Sequence, residues 1–523
     1  MLRFARLFTA LSIILTTGGL SAAAGKAAHV VVVVWDGMRP DFVNEHNTPA
    51  LFKLAQQGVT FANHHPVYVS STEVNCAALA TGAYPEQSGI IGNNEFRPAI
   101  DPSVKIMTAA LKAVQRGDEL SGNHFLEYPT IAETLRRHHL GAVIAGAKSV
   151  TLLQDRRADN IGALDIDVFE GNVLPESFAQ ELKSALGPFP PVELPKRGRD
   201  LWTTRALLGP LWEKGVPAFS LLWLSEPDYS QHKTGPGSKT SLEAIKSSDD
   251  NLARVLKALD RRGVRAQTDV IVVSDHAFST IADNPDVAAV LNRNGFHAAR
   301  AFSAQGPQPG EIMVVGNGGA VFLYVTGHEQ QLIEKLVHFL QTQPFSGVLF
   351  ARNPIEGAFT LDTVKLNSPA APDVVVSLKW TRDKSKTGAP GMVYSDVGEY
   401  GPGQGMHATL SPLDMHNTCI AAGPDFRRRY RDELPTGNID IAPTVLAILG
   451  VVPEKELSGR VLNEAFAGSQ IPAPAVKPHH LETSYSAGRF RWRQYLDSSE
   501  VEGVTYFTEG NGQVEAQPKP AGN

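Results

Sequence analysis

Carboxylates and histidines recur in this chain at the ends of apolar runs. Asp36 lies in "WDGMRPDF", Asp228 and His232 in "SEPDYSQHKTG", Asp275 and His276 in "VSDHAF", and His407 in "GMHATLSP". Carboxylate oxygens and imidazole nitrogens together suit zinc, manganese and similar ions. Six such residues make two sets of three. Thr72, in "VSSTEVNCAALATG", adds a hydroxyl where a polar loop becomes a small-residue helix. An oxygen nucleophile beside two metals about 3.5–4 Å apart suits in-line displacement at phosphorus. The N-terminus of that helix offers unpaired N–H groups and a positive dipole end, which favours an anion. Each piece also has an ordinary reading. Asp36 before a glycine is a common turn residue, and Ser70, Ser71 or Thr72 is a natural helix cap. Those readings would all have to hold at once.

The elements that must position these residues follow the same logic. "HVVVVVWDG" (His29–Gly37) is a β-branched run ending in a turn, the pattern of a fully buried parallel strand. "FSLLWLSEPD" and "DVIVVSDHA" repeat it, each apolar run passing into acidic residues. Helical stretches such as "NTPALFKLAQQG" and "SLEAIKSSDDNLARVLKALDRRG" lie between. Alternating strands and helices imply an α/β fold, a mostly parallel sheet flanked by helices on both faces. Ligands of such sheets bind outside the carboxyl ends of the strands, where the three acidic tails would converge.

The chain divides into five parts on this reading. Residues 1–24 are a signal peptide: Arg3 and Arg6, a short apolar stretch, then Ser21-Ala22-Ala23-Ala24. The core runs over 28–291 and resumes over 406–467. Between them, 292–405 is less regular, with Gly/Pro-rich joints, and reads as an inserted smaller subdomain. A tail covers 468–523. The apolar stretch is too short for a membrane span, so export to the periplasm or outside the cell, without a stable anchor, is the expectation. Composition is ordinary for a globular chain, 42% hydrophobic and 20% charged over 523 residues. A net charge of −6 without a basic block argues against a nucleic-acid-binding patch. Cys76 and Cys419, the only cysteines, sit in apolar company and read as buried free thiols.

Taken in order, the motifs resemble the alkaline phosphatase superfamily, in its type I phosphodiesterase/nucleotide pyrophosphatase branch. They are strand–Asp-Gly, Thr then Thr-Gly-x-Tyr-Pro-Glu-x-x-Gly-Ile, Glu-Pro-Asp-x-x-x-His, Ser-Asp-His, Gly-Met-His and Asp-Ile-Ala-Pro-Thr. The resemblance implies two divalent ions, zinc in this family. Asp228, His232 and His407 would hold one, and Asp36, Asp275 and His276 the other. Thr72 would be a metal-bound nucleophile that forms a phosphothreonine in a double displacement. Asn93 would hydrogen-bond a non-bridging phosphoryl oxygen, with Asn94 as its neighbour in the same "GNNE" turn. The implied substrate is a small phosphate ester or a nucleotide.

The chain also departs from its relatives. Sulfatases of this fold carry Cys-x-Pro-Ser-Arg at the nucleophile, whereas Cys76 lies four places late and the arginine is missing. The phosphodiesterases usually carry Lys-Thr-Phe-Pro-Asn, and Glu73 here replaces the aromatic residue. Threonine-dependent phosphomonoesterases and phosphonoacetate hydrolases carry a lysine that reads extra phosphate charge, and Lys148, after "GAVIAGA", falls in a comparable segment. The alternatives are therefore a phosphomonoesterase or phosphonate hydrolase on the same site, or a binding protein that kept the fold without catalysis. His64, His65, His124 and His416 read as non-ligands.

Overall fold

The computed structural model of the chain describes residues 25–156, 165–303, 306–488 and 490–516. The signal-peptide segment 1–24 lies outside them. At the centre is a nine-stranded sheet. Its strands are β1 (His29–Trp35), β2 (Val59–His65), β3 (Ala142–Gly146), β4 (Asp165–Phe169), β5 (Asn172–Leu174), β6 (Phe219–Leu224), β7 (Thr268–Val273), β8 (Cys419–Ala422) and β9 (Tyr430–Gly437). Across the sheet the order is β9-β2-β8-β7-β1-β6-β3-β4-β5. The run β7-β1-β6-β3-β4 is parallel, and β8 runs antiparallel to both its neighbours.

The valine run of β1 explains its place. Val30, Val32 and Val34 enter the core on one face, and Val31, Val33 and Trp35 that on the other. A strand that must bury both faces can carry no polar alternation. Helix α1 (Thr72–Thr81) supplies Cys76, Ala77 and Leu79 to the first face. Opposite, α3 (Lys239–Arg261) brings Ile245, Leu252, Val255 and Leu259, capped by Ser238 accepting from the Ser241 N–H. The short α2 (Asp228–Thr234) starts just beyond β6.

Parallel register sets the strand ends side by side. Trp35 of β1 pairs with Leu224 of β6, and Val34 with Val273 of β7. Gly146 of β3 pairs with Trp223 of β6. The chain turns sharply after Asp36 at Gly37, whose φ is +72° and where a Cβ would lie 2.9 Å from the Phe278 ring, so only glycine fits.

Residues 297–378 form a six-stranded sheet with the helix Gln330–Leu340 packed on it. A four-stranded sheet joins Trp380–Lys384 and Pro390–Tyr394 to Ser279–Asp283 and Gly405–Met406. The last part of the chain is a three-stranded antiparallel sheet, Val476–Ala487, Phe490–Val501 and Val504–Ala516. Among the described residues no helix is long and apolar enough to cross a membrane. Both cysteines are buried and free.

Candidate active site

The residues singled out above meet at the carboxyl end of the sheet. Asp36 directly follows β1, Asp275 lies just past β7, and Asp228 opens α2 beyond β6. The backbone locks two of these turns together, the Asp228 N–H donating to the Asp36 carbonyl at 2.9 Å. His276 follows Asp275. His407 arrives from far along the chain because Met406 pairs antiparallel with Ser279. The result is a stacked pair of imidazoles, His276 and His407, 3.7 Å apart at 18°.

Two groups of ligand atoms result. Asp228, His232 and His407 form one, and Asp36, Asp275 and His276 the other, with the ligand atoms within 4.8 Å of one another in each. All three imidazoles are oriented by the main chain. His232 Nδ1 donates to the Gly405 carbonyl at 3.0 Å, His276 Nδ1 to Ala277 at 3.0 Å, and His407 Nδ1 to Ser70 at 2.9 Å. With the proton on Nδ1, each Nε2 presents a lone pair, the tautomer a metal ligand needs.

These lone pairs face carboxylate oxygens. His232 Nε2 lies 3.2 Å from Asp228 Oδ1, and His276 Nε2 lies 3.3 Å from Asp275 Oδ2 and 3.7 Å from Asp36 Oδ1. Those three oxygens are buried and have no hydrogen-bond partner. An acceptor facing an acceptor in a buried site is costly unless a cation lies between them. The donor set and its orphaned oxygens therefore fit a divalent metal in each group. Burial and the charge of Asp275 push the Asp36 carboxyl well above its usual range, and burial pushes Asp275 up to about 7. Burial also lowers His276 and His407, keeping both imidazoles neutral.

The other oxygens of the carboxylates are taken. Trp223 Nε1 donates to Asp36 Oδ2 at 2.8 Å, and the Gly37 N–H to Asp275 Oδ1 at 3.0 Å. Lys148, just past β3, places Nζ 2.9 Å from Asp36 Oδ2 and 3.0 Å from Asp228 Oδ2, one carboxylate of each group.

Thr72 sits at the first position of α1, buried, with its hydroxyl 3.2 Å from His276 Nε2. At that position its N–H has no carbonyl within the helix to bond. Asn93 Oδ1 accepts the next N–H, that of Glu73, at 3.1 Å, which leaves the Asn93 amide N–H₂ to point elsewhere. Asn94 is held away from Thr72, exchanging bonds with Asn317 in the six-stranded sheet at 2.8 and 3.0 Å.

Three further histidines have other partners. His64 bonds Thr436 and Asn438, His65 bonds Asn63 and the Met415 carbonyl, and His416 bonds the Ala62 carbonyl. Burial holds His64 and His65 neutral, each down to about 3. Sequence reasoning missed the aromatic wall. Tyr400 stacks on His232 at 4.5 Å, and Phe278 meets His232 and His407 edge-on. Tyr400 lies in the irregular "GEYGPGQG", where no periodicity marks it.

The sequence model of a family described as type I phosphodiesterase/nucleotide pyrophosphatase matches residues 30–379. Venom phosphodiesterase 2 of Crotalus adamanteus is 23% identical over 298 residues, 56% of this chain and 32% of that protein. The chain thus spans about a third of the venom enzymes it matches. The bis(5'-adenosyl)-triphosphatase of Mus musculus is 21% identical over 441 residues, 83% of this chain and 80% of its own. Among solved structures, an inactive form of murine ectonucleotide pyrophosphatase/phosphodiesterase 5 in complex with AMP superposes with a TM-score of 0.58 at 17% identity. That match covers 84% of this chain and all of the other, and the likeness is one of fold.

Proposed function

The chain belongs to the type I phosphodiesterase/nucleotide pyrophosphatase family and has its alkaline-phosphatase-like fold, and from that premise we propose that it hydrolyses phosphodiesters through Thr72. The observation that carries this reading is the pair of ligand groups beside Thr72, with three orphaned carboxylate oxygens among them and the Thr72 hydroxyl on His276 Nε2. Asp228, His232 and His407 would hold one divalent ion, and Asp36, Asp275 and His276 the other. Zinc suits both sets of nitrogen and oxygen ligands. Such ions, when bound, supply positive charge that favours the threonine alkoxide and the charge developing on phosphorus.

The residues of the chain supply the rest. Thr72 Oγ1 attacks phosphorus, and the first alcohol or phosphate leaves. A water molecule then attacks the phosphothreonine from the opposite side and frees Thr72. The unpaired N–H at the start of α1 and the positive end of that helix favour the phosphoryl oxygens. Asn93, anchored through Oδ1, directs its amide donors toward a non-bridging oxygen. Its substrate class is a small phosphodiester or a nucleotide, as the names of the relatives suggest. The arginine-led apolar segment at 1–24 supports export, which agrees with relatives named as venom and ecto enzymes.

One observation favours a second reading, a phosphomonoesterase. Lys148 reaches carboxylates of both groups, so its charge lies where the extra negative charge of a monoester would come. The ratio of kcat/KM for bis(4-nitrophenyl) phosphate and 4-nitrophenyl phosphate separates the two. We expect the diester to lead by about tenfold or more, about 1.4 kcal/mol of transition-state discrimination. A lead for the monoester would assign Lys148 to reading that charge and make the protein a phosphatase.

A further inference from the structure

The end of the sheet away from the ligand groups holds a cavity of about 840 Å³. Strand β8 runs antiparallel to β7, and Ala422 at its end pairs with Val270 near the start of β7. The cavity opens there, between the segment after β8, the 3-10 turn Arg265–Gln267 before β7 and the end of the helix Pro49–Ala55. Arg265, Arg428 and Arg429 line it, together with Gln56 and Gln57. Among the described residues no acidic side chain does. Arg428 and Arg429 are exposed, and neither guanidinium has a hydrogen bond or an ion pair among the described residues. Arg429 holds a φ of +51°, in the left-handed region that arginine seldom occupies. Arg265 is half-buried and gives one donor to the Thr268 carbonyl at 3.1 Å. Asp260 and Asp269 favour its charge, yet neither forms an ion pair with it.

Three cations around one cavity repel one another, and they gather here in a chain whose net charge is −6. An anion between them relieves that repulsion. A planar carboxylate takes one guanidinium fork, whereas a tetrahedral phosphate presents three free oxygens and accepts forks from several directions. A single phosphate brings at most two negative charges against three positive ones. Two phosphate groups on one molecule answer all three arginines, and the amides of Gln56 and Gln57 add neutral donors. The volume lies within the range of about 300–1,000 Å³ usual for small-molecule sites. A lipid headgroup would come with an apolar rim to meet the bilayer, and none of the exposed large apolar side chains lines the cavity. We infer that this cavity is a second binding site, for a soluble small molecule carrying two phosphate groups. Arg265, Arg428 and Arg429 bind its oxygens. The site is separate from Thr72 and independent of the phosphodiesterase reading.

Amide hydrogen exchange on the metal-loaded wild-type protein locates the site. The probe is methylenediphosphonate, which carries two phosphonate groups on a carbon linkage that an esterase does not cleave. At saturation it should slow exchange over residues 425–431 and 265–267 by about threefold or more, since a bound ligand suppresses local opening. The Kd read from that protection should weaken by about tenfold or more in Arg428→Ala/Arg429→Ala, and again in Arg265→Ala. Arg428 and Arg429 bond nothing in the fold, so the double variant keeps it. Arg382→Ala, which removes an exposed arginine paired with Glu509 elsewhere on the surface, should leave the Kd unchanged. The inference is overturned by no protection in the wild type, by protection confined to the strand ends around Thr72, or by one Kd for wild type and double variant. Arginine-dependent pelleting with vesicles of phosphatidic acid, without protection by the soluble probe, would put the phosphate on a lipid and overturn it as well.

Discussion

Each imidazole of the site gives its Nδ1 proton to a main-chain carbonyl, and this small fact fixes what the residues can do. It sets three lone pairs against three carboxylate oxygens, an arrangement that makes sense around cations. Much of this was legible in the sequence. Asp36, Asp228 and Asp275 stood at the ends of β-branched or apolar runs, where such sheets bind ligands. The direction of a side chain was not legible. Glu73 keeps Oε2 buried without a hydrogen-bond partner, though its neighbours in sequence say nothing of it. The two asparagines of "GNNE" are separable only in space, Asn93 against α1 and Asn94 against the six-stranded sheet. Asn93→Ala should therefore lower kcat for bis(4-nitrophenyl) phosphate by about 10²–10³-fold, as the loss of a single donor to a developing anion does. Metal content measured by mass spectrometry should stay at the wild-type value. Asn94→Ala should change kcat less than threefold, roughly the scatter of a remote substitution.

At the level of elements, strands carry the site and a late strand completes it. The buried strands β1, β6 and β7 could be read from their unbroken apolar runs, because a strand covered on both faces has no polar alternation to obscure it. The last three strands could not. Val476–Ala487 is exposed along most of its length and shows no apolar period. It is held by pairing with Phe490–Val501, a partner that local sequence does not announce. That middle strand does alternate, but two of its inward positions are polar. Gln494 faces inward to bond both the N–H and the carbonyl of Leu349, at 2.8 and 3.1 Å, and Ser498 is buried as well. Trp492 is the strand's anchor, fully buried against the helix-covered face of the six-stranded sheet, with its indole N–H 3.0 Å from the Gly357 carbonyl. Trp492→Ala should cost about 3–5 kcal/mol in unfolding free energy, measured by denaturant titration. A loss below 1 kcal/mol would mean the last sheet adds little to the fold.

The whole molecule has two chemically distinct ends. The ligand groups occupy the carboxyl end of the parallel strands. At the other end, Asp269 near the start of β7 meets Asp425, whose carboxylate accepts the Lys26 and Ala27 N–H groups at 2.6 and 2.8 Å. Asp269 accepts the Asp425 N–H at 3.3 Å. Burial, and then the charge of Asp425, push Asp269 up to about 8. An unfolded aspartate titrates near about 4, so the folded value is raised. Asp269's contribution to stability is then complete below about pH 4 and is lost as pH rises through 8. Asp269→Asn should unfold at a higher temperature than wild type at pH 8.5, and this advantage should vanish at pH 4. An equal difference at both pH values would show that Asp269 does not titrate in the folded protein.

The central claim joins all three scales: a threonine made nucleophilic by its place between a helix start and two metal-binding groups. Its most direct test is Thr72→Ala, with kcat/KM for bis(4-nitrophenyl) phosphate measured on protein of known metal content. The account predicts that two divalent ions per chain remain while kcat/KM falls by about a thousandfold or more. Turnover within about threefold of wild type, with the same metal content, would remove Thr72 from the reaction and contradict it.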